Sequence, residues 1–147
     1  MSDTHRFHVS ASWDFSAKKG SLETLDGSIH MAHAGAASLG GAAGIANPEE
    51  LLIAAVSACF VQTWAIFIEK LKVPIEKALV DAGCVVEKDP AGGYHVTSIT
   101  LEPRVPAAVW ESRRADVEKT LSLAEKYCIV SKAVKAGVTL TVTPKAV

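Results

Sequence analysis

The chain has 147 residues, 49% of them apolar and 21% charged, and carries a net charge of −1. That length fits one domain spanning 1–147, with enough apolar material for a substantial core. The balanced charge, without a basic block, argues against binding nucleic acid through a phosphate-facing patch.

No apolar stretch follows Met1-Ser2-Asp3-Thr4-His5-Arg6, so no secretory signal is expected and a cytoplasmic location is. From Phe7 the sequence alternates: Phe7, Val9, Ala11, Trp13 and Phe15 point one way, His8, Ser10, Ser12 and Asp14 the other. This period of two predicts a half-buried strand. Lys18-Lys19-Gly20 turns the chain, and Asp26-Gly27 between Leu22–Leu25 and Ile29–Met31 is a hairpin signal. The opening is therefore an antiparallel meander. The small, Gly-rich residues 34–46 fit either a flexible linker or a loop shaped to pass close to another backbone.

Asn47 is a good N-cap, Pro48 suits a first helical turn, and Glu49 and Glu50 favour the positive end of the helix dipole. The helix should run to about Leu71. Ser57, Gln62, Thr63, Glu69 and Lys70 interrupt its apolar run, which favours a central core helix over a membrane span. Val80, Ala82, Cys84 and Val86 alternate as a strand, and Asp89 to Gly93 turn it into a partner from Tyr94 to Leu101. That partner slips phase between Val96 and Ile99, which predicts a bulge. Pro106 opens a second helix with Trp110, Val117, Leu121, Ala124 and Cys128 on one stripe, and Gly137 is a stop. Val138, Leu140 and Val142 form a last strand. The expected class is α+β, one antiparallel-rich sheet with two major helices.

Three cysteines without a signal sequence argue against a structural disulfide framework. Cys84 falls on the inward face of its strand and reads as core. Cys59 and Cys128 each ride the apolar stripe of their own helix and belong to no C-x-x-C pair. Two such thiols can meet between packed helices, which suggests redox chemistry. His8, His30, His33 and His95 show no metal-ligand spacing. Phe60, Trp64 and Phe67 suit a core, a dimer interface or the wall of an apolar pocket.

Asn47-Pro48-Glu49-Glu50-Leu51-Leu52 leading to Ser57-Ala58-Cys59-Phe60, with Ala124-Glu125-Lys126-Tyr127-Cys128-Ile129-Val130-Ser131-Lys132-Ala133 downstream, resembles the OsmC/Ohr family of thiol-dependent hydroperoxide reductases. The resemblance covers nearly the whole chain. It implies an intertwined homodimer with both active sites at the subunit interface. By position, Cys59 matches the peroxidatic cysteine, Cys128 the resolving cysteine and Glu49 the active-site glutamate. The implied chemistry reduces organic or lipid hydroperoxides to alcohols through a Cys59 sulfenic acid and a Cys59–Cys128 disulfide. A lipoyl-type dithiol then reduces the disulfide. Neither a metal nor an organic cofactor is needed, and neither nucleic acid nor membrane is an expected partner.

The chain departs from the family pattern at two points. Relatives use an arginine from the N-terminal half, held by the glutamate, whereas this chain has none between Arg6 and Arg104. Ile129 stands where many relatives carry proline. A mid-helix Cys59 among apolar neighbours is expected to gain nothing from a helix terminus, and so to need a cation. Lys18, Lys19, Arg104, His30 and His33 are the candidates. A rise of ~1.5 Å per residue puts Glu49 about 15 Å from Cys59 along one straight helix, so it should act through a bridging cation or on the partner's site. The alternative reading keeps the fold but binds an apolar small molecule or lipid in the interface pocket without turnover.

Overall fold

The computed structural model describes residues 3–147. They form two compact units, one ending at Leu51 and one beginning at Leu52.

In the first unit, strands β1 (Ser10–Asp14), β2 (Lys19–Glu23) and β3 (His30–His33) make an antiparallel sheet in that order. The predicted meander is present, and its turns follow from local chemistry. Asp14 Oδ1 accepts from the amides of Ser16 and Ala17, each at 2.9 Å, and Gly27 takes the positive φ of 74° at the second turn. One expectation fails here. All five residues of β1 are exposed, and Phe7 and Phe15 retain 95% and 87% of their surface. The alternation marks an apolar face, and that face is exposed.

Residues 34–46 are an ordered loop. Ala34 N–H donates to Ala46 O at 3.0 Å, Ala42 N–H donates to Gly35 O at 3.1 Å, and a 3-10 turn spans Ala37–Leu39. A Cβ on Gly41 would fall 1.8 Å from Gly35 O, so the close-approach reading of this segment holds.

Helix α1 (Pro48–Lys70) starts at the predicted place, with Asn47 Oδ1 accepting from the Glu50 amide at 2.8 Å. Its residues Val56, Phe60, Trp64 and Ile68 recur every four positions and are buried in the core of the second unit. The helix ends on Lys72, which takes a φ of 51° where glycine is usual. Lys72 N–H donates to Glu69 O at 3.1 Å and Val73 N–H to Ile68 O at 3.0 Å, while Val73 and Ile68 both join the core. Arg113 reinforces that end by donating to Leu71 O at 3.3 Å and Lys72 O at 3.4 Å.

The remaining strands form a second sheet. β4 (Leu79–Lys88) pairs antiparallel with β5 (Tyr94–Val105), and β6 (Thr139–Val142) and β7 (Lys145–Ala146) pair parallel to β5. The chain thus has two sheets where one was expected, although antiparallel pairs predominate. Val85 pairs Ser98 and Val86 pairs Val96, which leaves Thr97 as the bulge the phase slip predicted. Helix α2 (Ala107–Tyr127) is kinked at Arg113, which has φ −132° and ψ 28°. Its buried Thr120 takes the Trp64 indole N–H at 2.9 Å, tying α2 to α1. A third, short helix, α3 (Ile129–Val134), follows. Cys128 therefore stands between two helices and not within one, with φ −67° and ψ 110°.

Candidate active site

Cys59 lies half-buried in the middle of α1, next to the buried Phe60, and Cys128 is fully buried at the end of α2. The fold brings the two thiols close enough for each to shift the other's titration. Both are unoxidised. Around them are groups that side-chain patterning did not reveal. Ser131, also fully buried, donates its Oγ–H to Cys128 Sγ at 3.0 Å. Thr63, one turn beyond Cys59, donates to the Cys59 carbonyl at 2.8 Å. The backbone amides of Ile129 and Val130 lie near enough to favour negative charge on the Cys59 sulfur. Ser131 could have been found from its place three residues after Cys128. The amides carry no sequence signal, since every residue but proline has one.

These contacts separate the two sulfurs electrostatically. Burial is the largest single influence on Cys59 and pushes its pKa up. The Val130 amide, the Cys128 thiol, the Ile129 amide and the Thr63 hydroxyl together outweigh it, and Cys59 ends below an ordinary cysteine. For Cys128 burial is again the largest cause. The Ser131 hydroxyl and amide pull the other way, but proximity to Cys59 adds to the rise, so Cys128 stays above the ordinary value. The negative charge belongs on Cys59, with Cys128 as the donor beside it.

The candidate cations are placed as follows. Arg104 binds Asp81 through Nε at 2.6 Å and Nη2 at 2.5 Å. Lys18, Lys19, His30 and His33 belong to the first unit, where His33 Nε2 meets Ser12 O at 3.0 Å and His30 Nδ1 lies 3.5 Å from Glu23. Glu49 sits in the first turn of α1, and its Oε2 is buried without a hydrogen-bond partner among the described residues. Glu50 is exposed. Cys84 packs half-buried against the core, as expected. Among the described residues no group of three or more His, Cys, Asp or Glu side chains could hold a metal ion.

A cavity of about 530 Å³ is walled by Thr63, Ile66, Phe67 and Lys70 of α1, Leu123 and Tyr127 of α2, and Ile129. Phe67 and Tyr127 pack against each other on its wall, with ring centroids 5.7 Å apart. Thr63 and Ile129, which line it, also act on the Cys59 thiol.

The family model for OsmC-like proteins matches residues 40–143, which include both sheet-forming strands β4 and β5, all three helices and both thiols. The chain belongs to the OsmC-like protein family. Solved structures agree over the whole length. An organic hydroperoxide resistance protein OsmC from Legionella pneumophila is 22% identical, covers 98% of this chain and 100% of its own, and superposes with a TM-score of 0.79. An OsmC-like protein of unknown function from Vibrio cholerae gives 17% identity, coverage of 97% and 100%, and a TM-score of 0.81. An organic hydroperoxide resistance protein from Elizabethkingia anophelis gives 24%, coverage of 96% and 99%, and 0.73. At these identities the likeness is one of fold. No curated protein sequence matches the chain. As an OsmC-like protein it has the expected α+β fold with two major helices.

Proposed function

We propose that this OsmC-like protein is a thiol peroxidase that reduces organic or lipid hydroperoxides. The observation that carries the reading is the pairing of Cys59, held below an ordinary thiol pKa, with the buried Cys128, held above it and bonded by Ser131 at 3.0 Å. The Cys59 thiolate attacks the distal peroxide oxygen, the O–O bond breaks, and the alkoxide leaves as the alcohol after taking one proton. Cys59 is then a sulfenic acid. The Cys128 sulfur attacks the Cys59 sulfur, the hydroxyl leaves as water with the Cys128 proton, and a disulfide forms. An external dithiol of the lipoyl type returns two electrons and two protons. Being close-set, the second thiol limits overoxidation of the first.

The reading includes a homodimer. α1 is apolar along most of its length, yet only 22% of its most apolar stretch is buried. Phe7, Trp13, Phe15 and Leu25 are likewise exposed. A second copy is the cover best matched to so much apolar surface. The buried, unpartnered Oε2 of Glu49 supports its role of orienting a donor supplied from outside its own chain.

The test is turnover of cumene hydroperoxide with dihydrolipoamide as reductant. Wild type should produce cumyl alcohol catalytically, and Cys59→Ser should not. Slow loss of peroxide at equal rates in both proteins would favour a non-catalytic binder of apolar molecules, for which the same cavity serves.

A further inference from the structure

Cys59, Thr63, Ile66 and Lys70 follow one another along α1 at spacings of four, three and four, so they share one face of the helix. Thr63, Ile66 and Lys70 all wall the cavity of about 530 Å³, and among the described residues Lys70 is the only charged one in that wall. We propose that Lys70 is a specificity-determining residue that anchors an anionic head group. The protein then prefers amphipathic carboxylates whose apolar chain lies along the cavity and whose far end reaches Cys59. In a substrate that far end carries the hydroperoxide, and to that extent the inference rests on the peroxidase reading. The anchor itself does not.

A lysine in the last turn of a helix commonly serves that helix, by meeting its final carbonyls. Lys70 does something else. Its Nζ lies over the Phe67 ring, 5.6 Å from the centroid, so the side chain turns back along α1 to the cavity wall. The carbonyls at that end are met by Arg113, which donates to Leu71 O at 3.3 Å and to Lys72 O at 3.4 Å. A ring face attracts the ammonium without using up its three N–H donors. The described residues give Lys70 no ion-pair partner, and no carboxylate lines the cavity. Phe67, Leu123 and Tyr127 supply apolar surface around the charge. An occupant that is anionic at one end and apolar along its length complements both features.

The spacing also sets a length. Eleven residues separate Lys70 from Cys59, and at ~1.5 Å rise per residue they lie about 16 Å apart along the helix axis. Carbon–carbon bonds of ~1.5 Å laid in a zigzag cover that interval with roughly a dozen carbons. A short carboxylate meets Lys70 and stops before the thiol.

Dodecanoate and dodecan-1-ol are the probes, since neither carries a peroxide. Calorimetric titration of the reduced protein should show dodecanoate binding about tenfold tighter than the alcohol. Lys70→Gln should bring the two affinities together. Lys126→Gln removes an equal charge from over the Tyr127 ring, 5.2 Å from its centroid and outside the cavity wall, and should keep most of the preference. Bound dodecanoate should also slow iodoacetamide alkylation of Cys59 several-fold, whereas hexanoate should leave it near the ligand-free rate. Four results would each overturn the proposal: equal affinities in wild type, a preference that survives Lys70→Gln, a loss as large in Lys126→Gln, or bound dodecanoate that leaves Cys59 fully reactive. Anion preference at Lys70 without turnover of cumene hydroperoxide would sink the peroxidase reading and leave this one standing. Turnover without anion preference would do the reverse.

Discussion

Ser131 Oγ lies 3.0 Å from Cys128 Sγ, and neither side chain reaches solvent. The hydroxyl donates, so it stabilises Cys128 whenever that sulfur acquires negative charge. Ser131→Ala should therefore push Cys128 further above its already raised pKa and slow disulfide formation. The expected sign is a several-fold longer-lived Cys59 sulfenic acid, measured as increased dimedone labelling after a single peroxide addition. Ser131→Thr, which keeps a hydroxyl, should restore part of the rate.

The opposite shifts of the two thiols give stability a particular pH profile. Cys59 has a folded pKa below its unfolded one, so between that value and ~8.5 the unfolded chain binds more protons and stability rises with pH. The contribution is lost as pH falls through the folded value. Cys128 has a folded pKa above its unfolded one, so stability falls with pH from ~8.5 upward. Urea unfolding of the reduced protein should show a shallow maximum near pH ~8.5. The maximum should flatten when both cysteines are replaced by serine.

Trp64 Nε1–H donates to Thr120 Oγ1 at 2.9 Å with both side chains fully buried. Thr120→Val leaves the indole N–H without a partner and should cost about 1–3 kcal/mol. Trp64→Phe should cost more, because it also leaves a cavity. Urea titration of the double variant Trp64→Phe, Thr120→Val should give less than the sum of the single costs, since the shared bond is lost only once.

The unpaired carboxylate oxygen of Glu49 makes a separate forecast. If a second copy supplies its donor, Glu49→Gln should weaken association, seen as a concentration-dependent shift toward monomer in sedimentation velocity. Unchanged association with raised stability would mean that Glu49 has no external partner.

Much of the fold was legible because it is written in periodicity and caps. Asn47 and Pro48 mark the start of α1, Asp26-Gly27 the hairpin, and the slip between Val96 and Ile99 the bulge at Thr97. The misses have physical causes. Alternation from Phe7 to Phe15 reports that a face is apolar but not what covers it, and the residues of β1 are exposed. The stripe through Leu121, Ala124 and Cys128 continues in sequence across a helix break, because a single extended residue ends α2 and the next helix starts at once. That break mattered most for the site. Residue patterns showed two thiols able to meet, but the groups that favour charge on Cys59 include the Val130 and Ile129 amides, which no pattern of side chains reveals. Lys72 in a left-handed conformation was hidden for a related reason: the burial of Ile68 and Val73 and the Arg113 contacts hold it there, not its own preference.

The most direct measurement is to add one equivalent of cumene hydroperoxide to the reduced protein and map the thiols by mass spectrometry within seconds. The account predicts one cumyl alcohol per chain, a Cys59–Cys128 disulfide and Cys84 still reduced, with no disulfide in Cys59→Ser. Unchanged thiols after minutes, or oxidation that falls on Cys84 while Cys59 and Cys128 stay reduced, would contradict it.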